Sequence, residues 1–291
     1  MSSTIQIIIS GLGTGSIYAL IAVGFNIIFK STGALNFAQG EWVMMGGILA
    51  AFCFGNFDLP VWQACILAGL AVALVGAITE RVLIHPLLNH TPFAITLVTV
   101  GISLLTKSLV MLGLGKNPVG YPGISGQGFT SFWGASITLQ TLWILGITFI
   151  LMILTHLFFN HTRWGCAMRA AAANPGAAAL VGIRHSRVVL GSFIIAAGVG
   201  GLAGTIITPV TLMSYDSGAM LGFKSFSAAM LGGLGSLVGA MAGGITLGLL
   251  ESLVSGYVTS QFKDAVAFFV LLLVLVLRPQ GLLGKAEVNK V

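Results

Sequence analysis

The sequence predicts an all-α, polytopic membrane bundle of about eight long spans plus one short or broken segment, in a single domain covering residues 1–291. Hydrophobic residues make up 56% of the chain and charged residues 7%, with a mean hydropathy of +1.02. A water-soluble core cannot hide that much apolar surface, so the chain belongs in a bilayer. The charges gather in short interruptions between apolar runs, so the net charge of +6 reads as a positive-inside bias rather than a nucleic-acid surface. Forty glycines without a collagen period or a low-complexity run indicate close helix packing and interrupted helices.

Taken in order, a first span over residues 5–29 is about one bilayer thick at 1.5 Å per residue. It lacks the basic start and cleavage site of a signal peptide and is expected to be retained. Its GLGTGS (residues 11–16) looks like a nucleotide-binding loop, but no strand precedes it and small-residue packing explains it better. KSTGALNFAQG (residues 30–40) breaks the pattern before a second span over residues 41–54, where Glu41 falls in the first helical turn, favoured by the macrodipole. Asn36, Gln39 and Glu41 are also candidates for a polar patch on a pathway, because ionisable groups at membrane depth usually face a cavity. A turn with Asp58 leads to a third span (residues 61–79), then to a polar connection in which His85 and His90 read as solvated loop residues. A fourth span (residues 91–112) carries Lys107 within snorkelling reach of the interface. Residues 113–136 are glycine-rich, with Tyr121, Phe129, Phe132 and Trp133 as interfacial aromatics suited to an outer face.

A fifth span (residues 137–159) delivers the chain to residues 161–187, the longest stretch that is not continuously apolar. It holds Arg163, Arg169, Arg184 and Arg187, and no Asp or Glu occurs between Glu80 and Asp216. Such a basic, helix-prone loop suggests a cytoplasmic docking surface. After a sixth span (residues 188–212), residues 214–236 are too short and glycine-broken for a standard span. They read either as a discontinuous pathway element containing Lys224, Ser225 and Ser227 or as an interfacial turn. Two spans, over residues 237–254 and 262–277, follow. MMGG at residues 44–47 echoes AMLGG at 229–233, a faint sign of internal duplication. With the basic loop inside, Lys285 and Lys290 favour an inside C-terminus, which requires residues 214–233 to cross.

The chemistry is sparse. The sequence has no G-x-x-x-x-G-K-[ST], H-E-x-x-H, G-x-S-x-G or C-x-x-C, and its three cysteines, Cys53, Cys65 and Cys166, have neither metal-ligand spacing nor an even count. The spans offer almost no carboxylates or histidines away from their ends, which argues against a self-powered pump. A membrane-anchored enzyme lacks a clustered nucleophile and base. No metal site is expected.

GSIYALIAVGFNIIF (residues 15–29), TGALNFAQGEWVMMGG (32–47), ERVLIHPL (80–87), RWGCAMRAAAANPGAAALVGI (163–183), FKSFSAAMLGGLGSLVGAMAGG (223–244) and RPQGLLGKAEV (278–288) occur in an order that resembles the LivH-type permease family of branched-chain amino acid ABC importers. The resemblance implies a non-enzymatic subunit of the bacterial inner membrane. Its partners would be a second, LivM-like permease, two LivG/LivF-like ATPases and a periplasmic binding protein, with ATP and Mg bound by the partners. Related permeases for urea, short amides or other amino acids remain alternatives, as does a stand-alone secondary carrier or channel. The resemblance makes residues 160–187 a cytoplasmic coupling loop, with Arg163, Arg169, Ala173, Asn174, Pro175, Gly182 and Arg184 toward an ATPase. The Ala run at 170–173 favours helix, Asn174 and Pro175 interrupt it, and residues 177–181 can form a second short helix. Relatives commonly carry Glu at the position of Ala173, so coupling here is expected to use shape and arginines. Asn36, Gln39, Glu41, Lys224 and Ser227 are the pathway candidates.

Overall fold

A computed structural model describes residues 2–126, 128–132, 135–278 and 280–284. Among them the chain forms α1 (Ser2–Thr32), α2 (Gln39–Phe57), α3 (Val61–Thr79), α4 (Pro92–Leu114), α5 (Leu139–His161), α6 (Arg163–Ala173), α7 (Pro175–Leu180), α8 (His185–Thr211), α9 (Ser217–Gly232), α10 (Leu237–Tyr257) and α11 (Lys263–Leu277). A four-pair antiparallel hairpin of β1 (Phe129–Phe132) and β2 (Ala135–Thr138) is a small addition to the all-α expectation. α3 runs on through a π-helical turn (Glu80–Ile84) and a 3-10 turn (His85–Leu87).

Among the described residues seven helical segments are long and apolar enough to cross a membrane, against about eight expected. The shortfall is α2, whose first turn carries Gln39 and Glu41 and whose last carries Asn56. α2 and α9 are shorter passes enclosed by the long ones. The expected glycine-broken segment is instead a continuous helix of 16 residues, α9.

Glycines set the helix spacing. On α1 and α10, Gly15 meets Gly244 and Gly248, while Gly11 meets Leu249 and Ala19 meets Gly244, so the two helices run antiparallel with backbones in contact. α2 runs parallel to α8, with Gln39 against Gly200, Val43 against Gly204 and Gly47 against Thr208, and α3 runs antiparallel to α8, with Gly69 against Leu202 and Gly76 against Phe193. Without a hydrophobic driving force between helices in lipid, such close van der Waals approach is what holds them together.

α2 begins inside the bundle. Gln39 packs on Gly24 and Gly200, eight residues short of the end of α1 and so about 12 Å in from it at 1.5 Å per residue. The extended re-entry at residues 33–38 needs partners for its backbone, since lipid offers none. Thr96 Oγ1 accepts from Leu35 N at 3.1 Å, and Thr99 Oγ1 both accepts from Phe37 N and donates to Leu35 O, each at 3.1 Å. Pro209 inside α8 cannot donate to the Thr205 carbonyl. The Tyr121 hydroxyl donates to that oxygen, and Gln140 Nε2 donates to Ile206 O at 2.9 Å. Tyr121, expected as an interfacial aromatic, is therefore buried. The link from α8 to α9 is paired as well, by a two-bond bridge between Val119 and Met213.

Residues 214–233 cross the bundle. After α11 the chain returns to the end of α9, where Leu282 N donates to Leu231 O at 2.8 Å and Leu283 N to Gly232 O at 3.0 Å. Leu283 lines the same recess as Arg169 and Ala173, on the basic face. Lys285, Lys290 and Trp133 lie outside the described residues. His85 is not a free loop residue: it stands 3.5 Å from Glu80, whose carboxylate is fully buried.

Two outcomes check this packing. Gly204→Val, which drives a side chain into the Val43 backbone, is expected to lose about 1–3 kcal/mol of stability or more, seen as a lowered Tm in detergent, whereas Gly101→Val, facing open space, leaves Tm unchanged. In a cysteine-free background, Ala173→Cys and Leu283→Cys should label from the same side of the membrane and Asp58→Cys from the other.

Candidate functional site

A cavity of about 310 Å³ lies toward the face opposite α6 and α7, at the small end of the range for small-molecule pockets. α1 contributes Thr14, Ile17 and Tyr18, α5 Thr141 and Ile144, α8 Ile207, Val210 and Thr211 at its far end, and α9 Ser217, Leu221 and Lys224. The wall is mostly aliphatic with scattered hydroxyls, and its charge is concentrated at one place.

There the Lys224 ammonium, 5% exposed, lies 2.5 Å from Glu251 Oε1 and 2.6 Å from Asp264 Oδ1. Glu251, on α10, is fully buried, and the Tyr18 hydroxyl donates to its other oxygen at 2.7 Å. Lys224 also stands over the Tyr18 ring, 5.8 Å from its centroid. An isolated charge at this depth would be very costly, and opposite charge with full hydrogen bonding is what permits it. Four helices, α1, α9, α10 and α11, meet in this cluster.

Of the expected pathway residues, Lys224 lines the cavity. The other four are buried in helix packing. Asn36 turns the re-entrant segment into α2 by accepting from Ala38 N at 3.2 Å. Gln39 Nε2 donates to Ala196 O on α8 at 2.9 Å, and Ser227 donates back to Phe223 O. Glu41 accepts from Ser103 at 3.1 Å and lies against Gly218, where the first turn of α9 presents its positive end.

Sequence reading missed Tyr18, Glu251 and Asp264. Glu251 was detectable, as the one ionisable residue in residues 237–254. Its partners were not, because they come from other helices.

The basic face carries the second feature. α6 is seated by Gly165, packed on the backbone of Phe158 and Phe159, and by buried Met168 and Ala171. Thr162 caps α6, accepting from Gly165 N at 3.0 Å, and Asn174 caps α7, accepting from Ala177 N at 3.0 Å with Pro175 at the first helical position. Gly182, at φ +84°, ends the hairpin, its left-handed turn closed by Ile183 N donating to Ala178 O at 3.0 Å. α6 ends at Ala173, where Asn174 and Pro175 were expected to interrupt it, whereas α7 begins at Pro175 rather than 177 and ends at Leu180 rather than 181. Arg163, Ala173 and Arg184 are exposed, and Arg169 donates to Asn160 Oδ1 at 3.1 Å. Leu180 and Val181 project at 90% and 76% exposure. Beside α7 opens a recess of about 930 Å³ lined by Arg169, Ala173, His156 and His185, with no Asp or Glu among its described lining residues.

A polytopic bundle with a solute-sized cavity toward one face and a projecting helical hairpin on the other defines a membrane transport subunit. Residues 7–275 match the family described as branched-chain amino acid transport system / permease component, and the chain belongs to that family. It is 36% identical to the high-affinity branched-chain amino acid transport system permease protein LivH of Escherichia coli K12, over 99% of this chain and 97% of that one. It is 33% identical to the BraD permease of Pseudomonas aeruginosa, over 99% and 98% of the two chains. A chain of PsaBC from Streptococcus pneumoniae in complex with Fab overlays with a TM-score of 0.49 at 14% identity, covering 93% of this chain and 91% of that one. The protein is a multi-pass permease of the inner membrane.

Lys224→Met alone leaves the Glu251 charge buried and is expected to destabilise the protein by about 3–5 kcal/mol. The double variant Lys224→Met/Glu251→Gln should recover most of that loss in thermal unfolding.

Proposed function

We propose that this chain is one of two permease subunits of an ATP-driven importer and passes branched-chain or similarly hydrophobic amino acids from a periplasmic binding protein to the cytoplasm. A homologous, LivM-like permease completes the pathway. Two ATPases of the LivG and LivF type bind ATP and Mg and supply the energy, which this chain has no P-loop to harvest.

One observation carries the reading. α5 and α8 each line the cavity at one end and join the α6–α7 hairpin at the other. A force on α7 therefore reaches the cavity through two continuous helices, as alternating access requires. Leu180 and Val181 offer an apolar knob to a groove on the ATPase. The recess beside them, basic and without an Asp or Glu among its described lining residues, suits a neutral or acidic partner surface. The cavity's aliphatic wall suits an aliphatic side chain, and its few polar groups leave most selection to the binding protein.

Reconstituting the chain with the four partner proteins should give leucine uptake into proteoliposomes that needs both ATP and binding protein. Uptake by the chain alone on an ion gradient would instead make it a carrier, and uptake of urea or an amide in place of leucine would move it to a sister class. Leu180→Glu and Arg169→Glu are each expected to lower binding-protein-stimulated ATPase activity and uptake about tenfold, with Lys116→Glu on the far face unchanged. Wild-type rates in both hairpin variants would remove α7 as the ATPase seat.

A further inference from the structure

Lys224 has more counter-charge than it needs. Glu251, fully buried and held by Tyr18, neutralises it. Asp264 is a second carboxylate on the same ammonium, yet its side chain is 55% exposed and it stands in the first turn of α11, the least buried of the seven spans. A purely structural pair requires one partner. The second is built differently: one carboxylate is locked in place and the other can turn away.

Resting on the importer reading, we propose that Lys224, which lines the 310 Å³ cavity, and Asp264, which reaches the cavity's edge through its ion pair with Lys224, form an exchangeable clasp for the zwitterionic head of an α-amino acid. The ammonium of Lys224 has three N–H donors, and the two carboxylates take two. A solute carboxylate takes the third and then displaces Asp264. The freed Asp264 accepts from the solute ammonium, so each charge exchanges one partner for another and none is left bare. Lys263, which also lines the cavity, balances the set: two lysines and two carboxylates sum to zero, matching a solute of zero net charge. Ile17, Ile144, Ile207 and Leu221 then face the aliphatic side chain. Because the exchange replaces like with like, it holds the solute weakly enough to release it, as a conduit must.

The test uses the full complex with native cysteines replaced and Thr14→Cys, which lines the cavity, as reporter. Labelling by a small thiol reagent is followed against leucine, 4-methylpentanoate (carboxylate only) and 3-methylbutylamine (ammonium only). Leucine is expected to protect at a concentration at least tenfold below either half-molecule. Asp264→Asn should raise the leucine concentration needed about tenfold while barely moving that for 4-methylpentanoate. Lys224→Met/Glu251→Gln should abolish protection by both carboxylate-bearing solutes. No protection by leucine, equal protection by all three solutes, or unaltered protection in Asp264→Asn overturns the clasp. Asp264, being half-exposed, gives a decisive variant even where the double variant does not assemble. ATP-dependent leucine uptake by the unsubstituted complex, measured alongside, separates the two readings: its absence overturns the importer, and its presence with unaltered protection overturns only the clasp.

Discussion

An unpaired backbone amide or carbonyl in hydrocarbon costs several kcal/mol, and at three described interruptions of helix in this fold a side chain or a neighbouring stretch of backbone stands ready. Thr96 and Thr99 of α4 pair the extended entry to α2. Tyr121 and Gln140 take up carbonyls near Pro209 in α8, and Val119 bridges the link to α9. These interruptions let α2 begin within the protein rather than at its surface and set where α9 starts. They therefore decide where Glu41 and Lys224 come to rest.

Close backbone packing does the remaining placement. Gly15, Gly244 and Gly248 bring α1 onto α10, and so set Tyr18 beside Glu251. Gly40 and Gly222 let α2 and α9 cross in contact, which aims the first turn of α9 at Glu41 and carries Lys224 toward α10. Larger residues at these crossings would push the helices apart, and a cluster whose distances are 2.5 to 2.7 Å would not survive the shift.

The two functional faces are linked by the helices that span between them. α8 leaves the hairpin at His185 and reaches the cavity with Ile207, Val210 and Thr211. Near its far end Pro209 interrupts the hydrogen-bond ladder, a place where a helix bends at low cost. The cap residues Thr162 and Asn174 and the turn at Gly182 make the hairpin a stiff lever rather than a loose loop.

The sequence by itself determined the membrane class, the approximate positions of the long spans and the helix–break–helix form of residues 170–181. Those features follow from local quantities: apolar run length, helix propensity, and a proline with a capping asparagine. It also marked Lys224 as an ionisable residue at depth. Only the tertiary structure decided that α9 is a continuous crossing helix, that Asn36, Gln39 and Ser227 are buried with backbone partners, and that Lys224 faces Glu251, Asp264 and Tyr18. The reason is distance along the chain. Tyr18 and Glu251 lie 233 residues apart, and no periodicity within a span reveals which face another helix will cover. The stretch at residues 214–236 looked broken because glycine weakens a helix in water, whereas in this bundle Gly218, Gly222 and Gly232 are the surfaces on which neighbouring backbones rest.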